Sequence, residues 1–364
     1  IEIVPEKVPS LTKENSTMKV VAKIYPENAT CKEITFAPML PESVLSDAVE
    51  VIQNGTNAEL KAVCDGKFIL RATANNGYDY PEIISECSME VCGVGNPKFN
   101  PYKLVEACRY TNFDRTREEP KLAFTGGIST RGSGNNFWVS FDKVDFGVEG
   151  SDEISVPAFC WDASWPIEVW DGEPGNGECV LKADFEAEYQ YNTYTEKSFT
   201  LTKRLFGVHK ISVLVGIELV WHGFRFTKSA KAFGKLRALD ADTIVGDTFK
   251  KTSDAVEGIG NNVNLDFKNM NFWKTDTVGD GKCVECAATK ITICGKSNKP
   301  NNSINLKWFG ENGTTSTQVI EFPHTDDYEE KTFAIEQISG KGQISFVFLP
   351  GCDFDFKWFR FLPD

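Results

Sequence analysis

Apolar and polar residues alternate in short runs along most of the chain. MKVVAKIYP, AELKAVCDG, KFILRATAN and SECSMEVCG each alternate or cluster apolar positions over a few residues. Turn-forming stretches separate them: Glu27–Thr30, Asn54–Asn57, and the sequences CDGK and NNGY. Period-two patterning bounded by Gly, Asn and Pro predicts strands. About seven short strands within the first hundred or so residues predict a β-sandwich. Beyond them the pattern remains one of strands. AEYQYNTYTEKSF has no sustained helical period, and only Ser229–Leu239 (SAKAFGKLRAL) has room for a turn or two of helix. PIEVWDGEPGNG and SINLKWFGENGT each read as a strand followed by a glycine-rich turn. The longest apolar stretch, Ile211–Trp221, is interrupted by Glu218 and reads as two buried strands. No apolar run approaches the roughly 18 residues of a membrane span.

The same pattern occurs twice. GSGNNFWVSFDKVDFG from Gly132 matches GIGNNVNLDFKNMNFW from Gly258, sharing Gly132/Gly258, Gly134/Gly260, Asn135/Asn261, Asn136/Asn262, Phe141/Phe267 and Phe146/Phe272. YTEKSFTL from Tyr194 matches YEEKTFAI from Tyr328, and GFRF ending at Phe226 matches WFRF ending at Phe361. Three blocks in one order, about 130 residues apart, predict a duplicated domain. That spacing is too long for a solenoid repeat and suits a whole β-domain copied once. The predicted organisation is all-β: a sandwich over 1–96, then two jelly rolls over 97–232 and 233–364. No room is left for a barrel of about 250 residues.

The 364 residues carry a formal charge of −13. Nucleic-acid binding needs clustered Lys and Arg, so it is not expected. A soluble, self-repelling surface is. The cysteines number eleven, an odd count, and the two copies do not place them alike. A disulfide framework copied with its domain would keep its spacing, so free buried thiols are expected. Sequons at Asn15, Asn28, Asn54, Asn301 and Asn312 matter only on a secretory route. The chain starts at Ile1 without a signal peptide and reads as a mature form or a piece of a longer chain. Its compartment, cytoplasm or cell exterior, is therefore not set by the N-terminus.

VVAKIYPENATCKEITF and AELKAVCDGKFILRATANNG resemble the bacterial Ig-like group 2 domain, which implies a β-sandwich spacer. Each repeat resembles a family 6 carbohydrate-binding module. In the first copy the resemblance rests on VEACRY (Val105–Tyr110), GSGNNFWVSFDKVDFG, YQYNTYTEKSFTL and VWHGFRF. In the second it rests on LDADTI (Leu239–Ile244), GIGNNVNLDF, DDYEEKTFAI and DFKWFRF. The order spacer, module, module resembles the C-terminal region of bacterial family 2 glycoside hydrolases of the β-galactosidase type. That resemblance implies a catalytic domain upstream and a non-catalytic, carbohydrate-binding role here. The partner it implies is a glycan, either a galactoside or a plant or host polysaccharide. Two other readings stand beside it: a scaffold packed on a catalytic barrel or a second subunit, and a stand-alone surface lectin or adhesin.

Candidate residues follow from these readings. Aromatic rings stack on pyranose faces while amides and carboxylates take the hydroxyls. The resemblance places Tyr191 as the aromatic of the sugar loop, with Thr325 at that position in the second copy and Tyr328 matching Tyr194. Trp161 and Trp165, in the loop-like FCWDASWP, are candidates for exposure. Trp138 and Trp170 read instead as core or sheet packing, and Trp358 as core. Val220 replaces the late Asn of the family, and Asp353 or Asp355 takes its place in the second copy. The family also implies a structural calcium. Asp240, Asp242 and Asp355 supply oxygens of the right kind in the second copy, whereas Cys108 and His222 leave only Glu106 in the first. Catalysis is not expected: Asp and Glu cluster in turns such as EGSDE and HTDDYEE, and no nucleophile elbow, P-loop or dinucleotide fingerprint occurs. Cys283-Val-Glu-Cys286 lacks the second pair that a tetrahedral zinc needs.

Overall fold

The computed structural model describes residues 1–30, 32–74, 82–130, 137–160, 164–188, 190–216, 219–275 and 283–363. Over these residues the chain is all-β, with only single 3-10 turns at Ala107–Arg109, Phe124–Gly126, Lys231–Phe233 and Ala238–Asp240. The last two lie in the stretch where sequence allowed a turn of helix. Three separate apolar cores line up along the chain, one within residues 11–91, one within 105–226 and one within 232–361.

The first core lies between two four-stranded sheets. One runs Glu2–Pro5, Thr17–Lys23, Asn57–Ala62, Val49–Asn54, and the other Ser10–Thr12, Ile83–Cys92, Gly66–Ala74, Ile34–Met39. Strict alternation decides which side is buried: Met18, Val20 and Ala22 point inward while Lys19, Val21 and Lys23 face out.

The middle sandwich has a five-stranded sheet in the order Asn112–Phe113, Phe137–Asp145, Val208–Val215, Ser164–Asp171, Glu178–Glu186. Facing it, Ser151–Cys160 pairs with Thr195–Leu205 on one side and with Leu219–Trp221 and Gly223–Phe226 on the other. The expected division of Ile211–Trp221 into two strands holds on either side of residues 217–218, which lie outside the description. The third sandwich repeats the plan, with Thr243–Val245, Val263–Thr275, Gly340–Phe348, Asn301–Gly310 and Thr315–Pro323 in one sheet.

The copies agree down to a shared defect. The pairing of Phe137–Asp145 with Val208–Val215 slips between Phe141 and Val144, and that of Val263–Thr275 with Gly340–Phe348 slips between Phe267 and Met270. Each bulge holds a non-glycine residue at positive φ, Lys143 at 58° and Asn269 at 53°. The bulge bends the strand so that Phe141 and Phe267, both fully buried, reach the opposite sheet. There Phe141 meets Phe224 edge-on at 5.0 Å, and Phe267 meets Phe359 at 4.7 Å.

The junction between the second and third cores is built around two buried cations. Arg204, with no exposed side-chain surface, donates to the carbonyls of Glu149 (2.7 Å), Gly150 (3.0 Å) and Ser229 (2.5 Å) and to Asp152 Oδ1 (2.8 Å). Lys231 donates to the carbonyl of Lys268 at 2.8 Å and lies 3.8 Å from Asp242. Glu149 completes the junction, accepting from the Lys231 backbone and from Asn271 Nδ2, both at 2.9 Å. Buried charges persist only where such partners replace water.

Candidate functional site

Alternation in Phe137–Asp145 turns Phe137, Val139 and Phe141 into the middle core and leaves Trp138, Ser140 and Asp142 on the outer face of the five-stranded sheet. In Ser164–Asp171 it turns Ile167 and Val169 inward and leaves Glu168 and Trp170 outward. Register sets these residues in rows. Trp138, Leu214 and Glu168 lie side by side, and Ser140, Ser212 and Trp170 form the next row. Trp138 and Trp170 are both half-buried, two strands apart and one row out of step, about 12 Å between backbones at ordinary strand spacing. Trp170 Nε1 donates to Glu168 Oε2 at 3.0 Å, and Lys182 meets Glu168 Oε1 at 2.9 Å. At one end, Asn112 Nδ2 donates to Glu173 Oε1 (3.2 Å), which Lys210 also meets at 2.9 Å. Those hydrogen bonds to Lys210 and Asn112 hold the Glu173 carboxyl below its ordinary range. The Ser140 hydroxyl is buried on this face without a hydrogen-bond partner among the described residues. The surface thus presents two indoles and a tethered carboxylate.

The third sandwich presents different chemistry at the matched positions. Asn264 stands for Trp138, Asp266 for Ser140, Ser345 for Ser212 and Lys307 for Trp170, as the shared bulge and register require. Asp266 accepts hydrogen bonds from Thr243, Asn264 and Ser345, so this face is polar and internally bonded.

The loop end of the middle sandwich, where sequence placed the sugar site, is filled by the protein's own rings. Tyr194 stacks on Phe124 and on His222, each at 4.4 Å between centres, and its hydroxyl donates to the Phe124 carbonyl at 2.9 Å. Burial pushes its pKa up to about 12. With both ring faces covered by Phe124 and His222, Tyr194 is placed as a packing residue and leaves no free ring face for stacking on a sugar. The segment carrying Phe124 is backed by the first sandwich: Val44 packs so close to Gly126, at φ 81°, that a Cβ there would overlap it at 2.2 Å. Arg109 joins Asp47 at 2.6 Å beside it.

The other sequence candidates disperse. Tyr191 is 72% exposed and lies in the loop after Glu178–Glu186. Its counterpart Thr325 is buried, accepting from the Ser297 backbone at 3.0 Å. Trp161 lies outside the described residues. Trp165 belongs to a strand rather than a loop and packs against the middle core. Tyr328 bonds Glu257 at 3.3 Å and has the Lys357 ammonium 5.2 Å from its ring centre. Burial, then the neighbouring Asp355 and Glu257 charges, raise its pKa. Asp353 accepts from Asn298 Nδ2 at 3.0 Å. Register matches Val220 with Asp355, not with Asp353, because Val220 pairs with Phe159 and Asp355 with Lys296 on equivalent strands.

The calcium set does not fit. Asp240 is taken by the Arg237 guanidinium (2.9 Å), Asp242 accepts from the Lys268 backbone (2.7 Å), and Asp355 from the Gly258 backbone (2.7 Å). Among the described residues no group of three His, Cys, Asp or Glu is placed to hold a metal. The strand register gives the reason. Glu106 pairs with Gly223, and Arg237 with Trp358, so the position matching Glu106 in the second copy is Arg237, not Asp240. A cation stands where an oxygen ligand was expected. The described cysteines 64, 87, 92, 108, 179, 286, 294 and 352 are all free thiols.

No family model matches the chain, and no curated protein matches it. Several solved structures are similar. A family 6 carbohydrate-binding module from Clostridium stercorarium in complex with cellobiose is 19% identical, covering 36% of this chain and 98% of its own, with a TM-score of 0.32. Another family 6 module, from Clostridium cellulolyticum in complex with xylose, is 18% identical over 36% of this chain and all of its own, with a TM-score of 0.31. A family 43 arabinoxylan arabinofuranohydrolase from Bacillus subtilis in complex with cellotetraose is 16% identical, covering 60% of this chain and 53% of its own, with a TM-score of 0.31. No helix among the described residues is long and apolar enough to cross a membrane.

Proposed function

We propose that this chain is a non-catalytic glycan-binding region, an accessory part of a β-galactosidase-like glycoside hydrolase, and that the outer sheet face of the middle sandwich is its binding surface. The observation that carries the reading is the pair Trp138 and Trp170, two half-buried indoles on one open face with Glu168 hydrogen-bonded between their rows. A pyranose has an apolar face that stacks on an indole and a rim of hydroxyls that need acceptors and donors. Glu168, Glu173 and Asn112 supply both kinds of group. The two carboxylates of this face, Glu168 and Glu173, are each engaged by a lysine, Lys182 and Lys210, which suits holding hydroxyls rather than acid–base cleavage. The test is a glycan array probed with the whole chain and with its Trp138→Ala and Trp170→Ala variants. The reading predicts binding to neutral glycans that both substitutions weaken. Binding that survives both substitutions, or hydrolysis of a galactoside by the chain alone, overturns it.

A further inference from the structure

A concave surface lies at the junction of the middle and third sandwiches and shares no residue with the indole face. It is a pocket of about 390 Å³ whose lining includes Glu149 and Lys228 from the middle sandwich side and Phe272, Trp273, Glu285 and Lys341 from the third. Neither sandwich forms it alone. The Lys231 bond to the Lys268 carbonyl holds its two walls together, and the Asn271 amide bound to Glu149 ties one wall to the other at 2.9 Å. The pocket is therefore preformed.

Its charges are unequally engaged. Glu149 already accepts two hydrogen bonds. Lys228 and Lys341 are exposed and have no anionic partner among the described residues, and Glu285 has no cationic one. The two lysines and two glutamates of the lining balance in formal charge, but Glu149 is engaged by the Lys231 backbone and Asn271, so two free ammoniums face one free carboxylate, Glu285. Val284, 38% exposed, gives it an apolar floor, backed by the buried Phe272 and Trp273. An apolar floor, two ammoniums and one acceptor on the rim match a sugar ring that carries a carboxylate: the ring lies on the floor, the carboxylate meets the lysines, and Glu285 takes a hydroxyl.

We infer that this junction pocket is a binding site for an acidic saccharide unit, a uronic acid residue. The inference rests on the glycan-binding reading for its ligand class but on separate residues for its site.

Calorimetric titration of the whole chain with a galacturonate tetramer, and with the same tetramer methyl-esterified, tests it. The wild type is expected to bind the acid form, more weakly as salt is raised, and the ester at least tenfold more weakly. The double variant Lys228→Ala/Lys341→Ala is expected to lose about tenfold in affinity for the acid form. Both lysines are exposed, so the fold is not at stake, and circular dichroism checks this. Trp170→Ala is expected to leave the acid form's affinity unchanged, which separates this site from the indole face. Equal affinity for acid and ester, or undiminished binding by the double lysine variant, overturns the inference. Loss of the acid form's binding in Trp170→Ala does so as well, by assigning that binding to the sheet face.

Discussion

The phenol ring of Tyr194 lies parallel to the imidazole of His222, with 4.4 Å between centres and 11° between planes. At the matched positions of the third sandwich, Tyr328 faces the ammonium of Lys357 at 5.2 Å. The tyrosine is common to both copies, but only in the first is it clamped on two faces, by His222 and by Phe124. Its role there is to pack the loop end, and its hydroxyl hydrogen bond confirms the commitment.

Tyr194→Ala should therefore cost about 3 kcal/mol, the usual range for removing a ring packed on both sides. Tyr328→Ala should cost less, because it removes one ring–cation contact and one hydrogen bond to Glu257. Denaturant unfolding of the two variants measures the difference. Equal losses would contradict the asymmetry.

Trp138→Ala and Trp170→Ala should each lower affinity for a neutral glycan roughly tenfold while shifting the unfolding midpoint little, since each ring is partly open to water. Trp221→Ala, which removes a fully buried indole, should instead cost about 3–5 kcal/mol. Paired titration and unfolding experiments separate the two classes.

His209 makes stability fall with rising pH. Its Nδ1 lies 2.7 Å from Asp171 and its Nε2 2.6 Å from the Phe206 carbonyl, so both nitrogens donate only when the ring is protonated. The bond to Asp171 raises its pKa against burial. A raised folded pKa gives stability that is fully present below the ordinary value of 6.5 and is lost as pH climbs through the folded value. His222 has the opposite sign, because burial lowers its pKa. The comparison that isolates the effect is wild type against His209→Gln: their stability difference should shrink above pH 6.5. On the acid side, burial opposes ionisation of Asp171, yet bonds from His209 and Lys203 hold it at about 2. Its contribution is therefore present above the ordinary 3.8 and disappears as pH falls toward 2. A difference between wild type and His209→Gln that stays constant with pH would refute the protonated assignment.

Arg204→Met should destabilise by about 3–5 kcal/mol, because it strands Asp152 and three carbonyls in a buried junction. The loss should appear in unfolding of the middle and third sandwiches together, followed by tryptophan fluorescence. A change confined to one of them would show that the junction is not shared.

A chelator should leave the unfolding midpoint unchanged, since Asp240, Asp242 and Asp355 are each satisfied by protein donors. Scanning calorimetry with and without added calcium checks this, and a rise with calcium would reveal a ligand set other than these three.

The strands were legible because burial on one face of a sheet writes a period of two into the sequence. Met18, Val20 and Ala22 show it plainly. The duplication was legible because Phe141 and Phe267 occupy the same bulged turn of the same strand. The bulge itself left no trace, since Lys143 and Asn269 adopt positive φ without being glycine. The metal positions were misread because Asp240 and Asp242 sit three residues beyond the true match. Only the pairing of Arg237 with Trp358, over a hundred residues apart, reveals it. Tyr191 and Tyr194 look alike in sequence. What separates an open ring from a clamped one is Phe124, seventy residues upstream. The indoles of the sheet face were within reach: Trp138 falls between two inward residues, so alternation alone turns it out.

The junction around Arg204 has a consequence for long ligands. Domains joined by a flexible tether sample many separations, and a second contact then gains from an effective concentration set by tether length. Here the tether is replaced by a packed seam, in which Lys231 bonds the Lys268 carbonyl and Asn271 bonds Glu149 across the connection. Contacts made on either side of it are held at one spacing. A polymer whose repeat matches that spacing is gripped twice, and one that does not is gripped once, so the seam turns avidity into a measurement of the polymer's period.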